Sequence, residues 1–208
     1  MARSPTELIH ALAGQLVVSC QDYTRVMIVA AIRGGAAGLR INGPHDVRLA
    51  RSRTGIPIIA CNKMYFPNSP IYITPSVRAA VAVAREGADI VALDCTRRRR
   101  VRQPAAEIIA AIHEAGALAL ADLASPDEAP DAVAAGADIL ATTLAPRFDP
   151  DFVRALKAFG RPVLAEGHIR SPKQARKAIE AGAWAVCVGS AVTRPHMITV
   201  WFRKALGG

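Results

Sequence analysis

Aromatic residues make up only 5% of this 208-residue chain, and its four cysteines, Cys20, Cys61, Cys95 and Cys187, stand far apart with no C-x-x-C pair. That spacing supplies neither a zinc knuckle nor a redox dithiol, and it fits reduced thiols in a cytoplasm. No apolar run approaches the roughly 20 residues that a membrane span needs. The opening stretch, MARSPTELIHALAGQLVVSC, carries an early arginine, but Glu7 and Gly14 interrupt its apolar residues. It therefore lacks the h-region of a signal peptide and reads as a short helix leading into a first strand. Acidic residues are in deficit, 17 against 26 Lys and Arg, for a net charge of +9. Such a balance admits a polyanion partner, and RRRR at Arg97 to Arg100 concentrates it. With so few aromatics and no nucleic-acid module, the run reads instead as a solvated basic loop, and nucleic acid is not expected as a partner.

What is present is 51% hydrophobic residues beside 21% charged ones, the balance of a compact globular domain, at a length that fits a single domain over residues 1–208. One phrase returns along the chain: GGAAGLRI, EGADIVALD, AGALALAD, AGADILATT and AGAWAVCVG. Each is a glycine that can stop a helix, followed by a short apolar run suited to a buried parallel strand. Between these units lie helical stretches such as PSVRAAVAVARE and SPKQARKAIEA, the second opening with a Ser cap and a Pro in the first turn. Adding QLVVSC, IPIIACN and RPVLAEG places strands at Leu16, Ala37, Ile58, Ile90, Leu118, Ile139, Val163 and Ala185. Eight βα units at intervals of roughly 20 to 30 residues predict an α/β fold, a (β/α)8 TIM barrel with short loops. An open doubly wound sheet would carry a glycine-rich turn after its first strand, whereas VSCQDYTR has no glycine.

In such a barrel the chemistry sits at the carboxyl ends of the strands. Those ends read Gln21, Arg40, Lys63, Asp94, Asp122, Thr142, Glu166 and Gly189 with Ser190, a strongly polar ring. Layers inside a barrel come from alternate strands, so Gln21, Lys63, Asp122 and Glu166 are expected in one layer. A lysine in a partly apolar mouth beside carboxylates is a candidate acid or base. Its loop, in IIACNKMYFPNSPIYITP, is punctuated by Pro67, Pro70 and Pro75. Plainer roles compete: a lysine ending a strand is commonly a surface residue, and Asp94 can cap the next segment or pair with neighbouring arginines. Asp122, followed by LASPDEA, can be structural too. An unpartnered buried Glu166 would be costly, which favours a partnered or functional role. Arg40 and Gln21 read as ligand grips. The glycines of AEGHIRSPKQ and VGSAVTRP lie after strands seven and eight, the customary phosphate site of this barrel class, so Gly167, Gly189 and Ser190 are expected to cradle a phosphate, with charge from Arg194 and secondarily His168 or Arg170.

The segments VVSCQ, GLRINGPHDVR, YITPS, GADIVALDCT, ADLAS, GADILATTL, VLAEGHIRSP and AGAWAVCVGSAVTRP, in this order over nearly the whole chain, resemble the N-acetylmannosamine-6-phosphate 2-epimerases. The resemblance implies a (β/α)8 barrel, usually a homodimer, that interconverts N-acetylmannosamine 6-phosphate and N-acetylglucosamine 6-phosphate with no redox cofactor and no required metal. It implies proton transfer by Lys63 with Glu166 as partner, substrate contacts at Gln21, Arg40 and Asp122, and phosphate contacts at Gly167, Gly189, Ser190 and Arg194. The chain departs from the family where the loop after SCQ shortens to DYTR and the segment after TTL shrinks to APRFDP. A lyase using Lys63 as a Schiff-base nucleophile and a non-catalytic sugar-phosphate-binding protein are the competing readings.

Overall fold

The computed structural model describes residues 4–22, 24–100 and 103–207. Eight parallel strands run in chain order: β1 (Leu16–Ser19), β2 (Gly38–Asn42), β3 (Ile58–Cys61), β4 (Ile90–Asp94), β5 (Leu118–Asp122), β6 (Ile139–Ala141), β7 (Val163–Glu166) and β8 (Ala185–Val188). Each pairs with the next and β8 pairs with β1, closing the barrel. Between them lie helices α2 (Thr24–Arg33), α3 (Pro44–Arg51), α4 (Val77–Arg85), α5 (Ala105–Glu114), α6 (Ala129–Ala134), α7 (Pro150–Lys157) and α8 (Pro172–Glu180). Helix α1 (Pro5–Leu12) precedes the barrel, and α9 (Ser190–Thr193) and α10 (Pro195–Ala205) follow it. The expected strand starts hold at every position except the second, where pairing begins at Gly38 against Val17 rather than at Ala37. No helix among the described residues is long and apolar enough to cross a membrane.

The recurring phrase has a local cause. After α4, Gly87 adopts φ +99 and the next amide, of Ala88, reaches back to the carbonyl of Val83; the same closure joins Ala36 to Ala31, Ala117 to Ile112, Ala137 to Ala132 and Ala183 to Ala178. This left-handed turn satisfies the last carbonyls of a helix and turns the chain into the next strand with no residue to spare. The aspartate of GAD does a second job. Asp89 accepts the N–H of Ile58 at the start of β3 (2.8 Å), and Asp138 accepts that of Ala119 in β5 (2.8 Å). At the same place in its phrase Trp184 donates its indole N–H to the carbonyl of Ile9 (2.8 Å). That bond ties α1 across the amino-terminal mouth, where Leu12 is fully buried against Gly38; a β-carbon on Gly38 would lie 2.8 Å from the Leu12 methyl.

Side chains alternate along each strand. Val17, Ile59, Ala92, Leu120, Leu164 and Cys187 fill the barrel interior, while Val18, Ile58, Val91, Ala121 and Ala165 face the helices. The same alternation carried upward points Ser19, Arg40, Asp94, Asp122 and Glu166 inward at the carboxyl end, so the core ends in a polar layer.

Replacing Asp138 with Ala leaves the Ala119 N–H without its acceptor and removes the pairing with His113 Nε2 (2.8 Å). The expected loss is about 1–3 kcal/mol, to be read as a melting temperature lowered by several degrees in a thermal scan while the circular dichroism spectrum of the folded state is unchanged.

Candidate active site

A cleft of about 350 Å³ opens at the carboxyl end of the barrel. Gln21 and Lys63 line one side, Glu166, Gly167 and His168 the other, with Gly189, Ser190 and Arg194 closing the third. The expected ring therefore divides: these residues meet in one cavity, and Arg40, Asp94, Asp122 and Thr142 lie beneath or beside it.

Arg40 is not a grip at the strand end. The β2 strand continues to Asn42, so Arg40 sits one pleat down, opposite Ser19 and Ile59, with 1% of its side chain exposed. Its guanidinium donates to Asp122 Oδ2 (2.5 Å) and to Glu166 Oε2, bridging two carboxylates across the barrel. Thr143 completes the group, its hydroxyl donating to Asp122 Oδ1 (2.5 Å) and accepting from Arg40 (3.4 Å). Of the expected layer of Gln21, Lys63, Asp122 and Glu166, only the two carboxylates are joined here, by an arginine from an even-numbered strand, while Gln21 and Lys63 lie beyond the ends of β1 and β3. Burial pushes the Glu166 carboxyl above its ordinary pKa; the Arg40 guanidinium pulls against that shift, and the Asp122 charge adds to it. Burial works against the charge on Arg40, but Asp122 and Glu166 outweigh it and hold the guanidinium protonated.

Lys63 lies just beyond β3. Its N–H donates to Asn42 Oδ1 (2.9 Å), and its ammonium stands 5.9 Å from the centre of the Tyr72 ring. The proline-bearing loop folds back as a narrow antiparallel excursion in which Met64 N donates to the carbonyl of Tyr72 (2.9 Å), Lys63 bridges to Ile73, and Tyr65 stacks on Tyr72 at 5.2 Å. Buried Thr74, at φ +44, closes it: its hydroxyl donates to the carbonyl of Ala92 (2.5 Å) and its oxygen accepts the N–H of Asn62 (3.0 Å). Stiffness here comes from cross-loop hydrogen bonds as much as from prolines.

The other expected residues are committed to the scaffold or left open. Asp94 takes both of its plainer roles, accepting the N–H and hydroxyl of Thr96 (3.0 and 2.7 Å) and pairing with Arg98. Thr142 exchanges hydrogen bonds with the main chain of Glu166, donating to its carbonyl (2.7 Å) and accepting its N–H (3.0 Å), which fixes the end of β7. Gln21 donates to Ser19 Oγ (2.9 Å) and keeps its Oε1 buried without a partner, an acceptor available to a ligand. The basic run is not simply a solvated loop. Arg97 pairs with Asp127 and Asp131 (2.8 Å each), joining the segment after β4 to the turn and helix after β5, and Arg98 pairs with Asp94 at the end of β4.

In the loop after β7, Gly167 has φ +95, and a β-carbon there would sit 3.0 Å from the Thr143 carbonyl oxygen. His168 follows in the left-handed region at φ +57. The loop is forced open toward the cleft, where its main chain can approach a ligand closely. The first N–H groups of α9 have no acceptor within the helix, and Gly189 and Ser190 line the same cavity. Thr193 fastens α9 to β1 by donating to the Ser19 carbonyl (2.8 Å). Thr143, Asn42 and Tyr72 were missed in the sequence; for Thr143, extending the alternation of β6 by one more inward position was the available signal.

Residues 24–208 match the family described as "NanE: Putative N-acetylmannosamine-6-phosphate epimerase". The chain belongs to this family. It is 43% identical to the "Bifunctional enzyme NanE/NanK" of Brucella melitensis over 96% of this chain, which spans 42% of that enzyme's length. It is 42% identical to a protein of Cutibacterium acnes named "Putative N-acetylmannosamine-6-phosphate 2-epimerase", covering 96% of each chain. Among solved structures, that of the N-acetylmannosamine-6-phosphate 2-epimerase from Clostridium perfringens superposes with a TM-score of 0.93 at 31% identity over 99% of both chains.

Two outcomes follow from this geometry. A Gly167→Ala variant must strain its backbone or push on the Thr143 carbonyl, so binding of a phosphorylated ligand, measured by calorimetry, falls about 10- to 100-fold. All four cysteines are buried, and burial pushes the thiols of Cys20 and Cys95 up to about 12 and that of Cys61 up to about 11, while burial joined by the Glu166 charge also raises that of Cys187 well above its ordinary value. Iodoacetamide at pH 8 therefore leaves the folded protein unlabelled by mass spectrometry and labels four sites in denaturant.

Proposed function

We propose that the chain interconverts N-acetylmannosamine 6-phosphate and N-acetylglucosamine 6-phosphate by proton transfer at C2. The observation that carries the reading is that Lys63 and Glu166 open into one cleft with the Gly167 and Gly189 loops, in a chain of the NanE family. Once the sugar ring opens, C2 stands next to an aldehyde and its proton becomes acidic. The Lys63 amine takes that proton, the electron pair moves toward the C1 carbonyl to give an enolate, and return of a proton on the opposite face yields the epimer. Glu166, whose carboxyl burial holds toward its neutral form, faces the sugar as a hydrogen-bonding partner that can carry a hydroxyl proton. Gln21 offers Oε1 to a donor on the substrate. Arg40 and Asp122 act from behind, holding Glu166 and Thr143 in place. Phosphate seated on the loops at Gly167, His168, Gly189 and Ser190, with Arg194, anchors the molecule far from the reacting carbon, so that binding energy is available to orient C2.

The same reading includes a homodimer in the cytoplasm. Helix α10 has no fully buried residue; Phe202 within it and Leu206 just after it are 70% and 88% exposed. Beside it an apolar groove of about 730 Å³ runs along Leu16, Val186, Val188, Ile179 and Val192. A second copy that covers both surfaces removes them from water. Four buried, unpaired thiols suit a reducing compartment.

In deuterated buffer, proton NMR of N-acetylmannosamine 6-phosphate with the protein should show deuterium entering C2 as the other epimer accumulates. The Lys63→Ala variant should lower the exchange rate by about 100- to 10,000-fold; exchange that survives in that variant assigns the base elsewhere. Light scattering coupled to size exclusion should return twice the monomer mass, and Ile179→Asp should shift it to the monomer.

A further inference from the structure

Asp22 is an acidic residue in a cleft read as a phosphate site, where an uncompensated carboxylate would repel the ligand. Its Oδ2 instead accepts a hydrogen bond from Arg194 Nε, each side chain being 40% exposed, and this is the ion pair of Arg194 among the described residues. Both line the cleft with Gly167, His168, Gly189 and Ser190. The main chain around Arg194 is independently fixed: Thr193 is tied to the carbonyls of Ser19 (2.8 Å) and Gly189 (3.1 Å), and the Arg194 carbonyl accepts from Met197 and Ile198 (2.9 and 3.2 Å). What remains to be set is the direction of the guanidinium, and Asp22 sets it. Asp22 lies in the short connection between β1, which ends at Ser19, and α2, which begins at Thr24.

We infer that Asp22 is an internal counter-anion that sets affinity at this site: in the empty cleft it holds and neutralises Arg194, and an arriving phosphate must share or take over the guanidinium. The inference rests on the reading of this cleft as a sugar-phosphate site. Two effects of Asp22 oppose each other. Holding a long side chain in place saves some of the ordering that binding would require. A negative charge a few ångströms from a phosphate dianion opposes binding, and it acts on two charges rather than one. The electrostatic effect is therefore the larger, and Asp22 weakens phosphate binding. An open cleft with an uncompensated arginine would retain inorganic phosphate in place of substrate; Asp22 reduces that occupancy.

The test is calorimetric titration of inorganic phosphate and of N-acetylmannosamine 6-phosphate into the wild type, Asp22→Asn, Asp22→Glu, Arg194→Gln and the Asp22→Asn/Arg194→Gln double variant. The Asn amide still accepts from Arg194 Nε but carries no charge, so Asp22→Asn should bind both ligands about 3- to 10-fold more tightly at low salt. That gain should shrink as salt is raised, vanish in the double variant, and be absent in Asp22→Glu, with melting temperatures showing that all variants are folded. A purely structural role for Asp22 would produce no salt-dependent gain. Unchanged or weaker binding by Asp22→Asn, while Arg194→Gln still weakens the wild type, overturns the inference and leaves the phosphate site standing. If the wild type binds neither ligand, or Arg194→Gln is without effect, the phosphate-site reading fails and the inference falls with it.

Discussion

The carboxyl end of this barrel depends on one guanidinium. Arg40 is almost wholly removed from water and lies between Asp122 and Glu166, which come from strands on other parts of the ring. A buried charge is tolerated only where opposite charge and hydrogen bonds replace the lost hydration, and breaking such a group by removing one partner costs about 3–5 kcal/mol. Without Arg40, two carboxylates would face each other in a low-dielectric layer and would have to take up protons or draw in water. With it, Glu166 is held at the cleft with its carboxyl raised by burial, and Thr143 is aligned by Asp122. The proton chemistry proposed for the cleft is therefore supported from one layer below.

That polar layer is positioned by economical connections. The glycine turn that ends α4, α5, α6 and α8 returns the chain to the sheet immediately, and the aspartate of GAD reaches sideways to the previous strand. Eight βα units thus fit in a chain shorter than is usual for the fold. At the other end, the side chains of Asp22 and Arg194 pair at the cleft.

Much of this was legible in the sequence. Buried parallel strands read as apolar runs, and the glycine phrase fixes where each begins; β2 slipped by one residue because Ala37 already donates to the Leu16 carbonyl before the ladder proper starts. The polar strand ends led to Lys63, Glu166, Gln21 and both glycine loops, since the last inward positions of a closed barrel converge. Depth was not legible. Whether Arg40 stands at the rim or one pleat below depends on how far β2 continues, and Asn42 extends it. Nor could the sequence show that Arg97 finds Asp127 and Asp131 about one βα unit further on, or that α10 leaves Phe202 exposed, because those are facts about partners distant in the chain.

The excursion after β3 is fastened to the neighbouring strand, with Asp94 N donating to the Ile73 carbonyl and Thr74 bonded to Ala92. The main chain of Lys63 is therefore fastened to the wall of the barrel. A fixed amine that is to remove a proton from one face of a carbon and restore it on the other cannot travel around that carbon. In the proposed reaction the flat intermediate would pivot instead, swinging about the phosphate seated on the Gly167 and Gly189 loops as a door turns on its hinge. The cleft of about 350 Å³ is the space in which that rotation would take place.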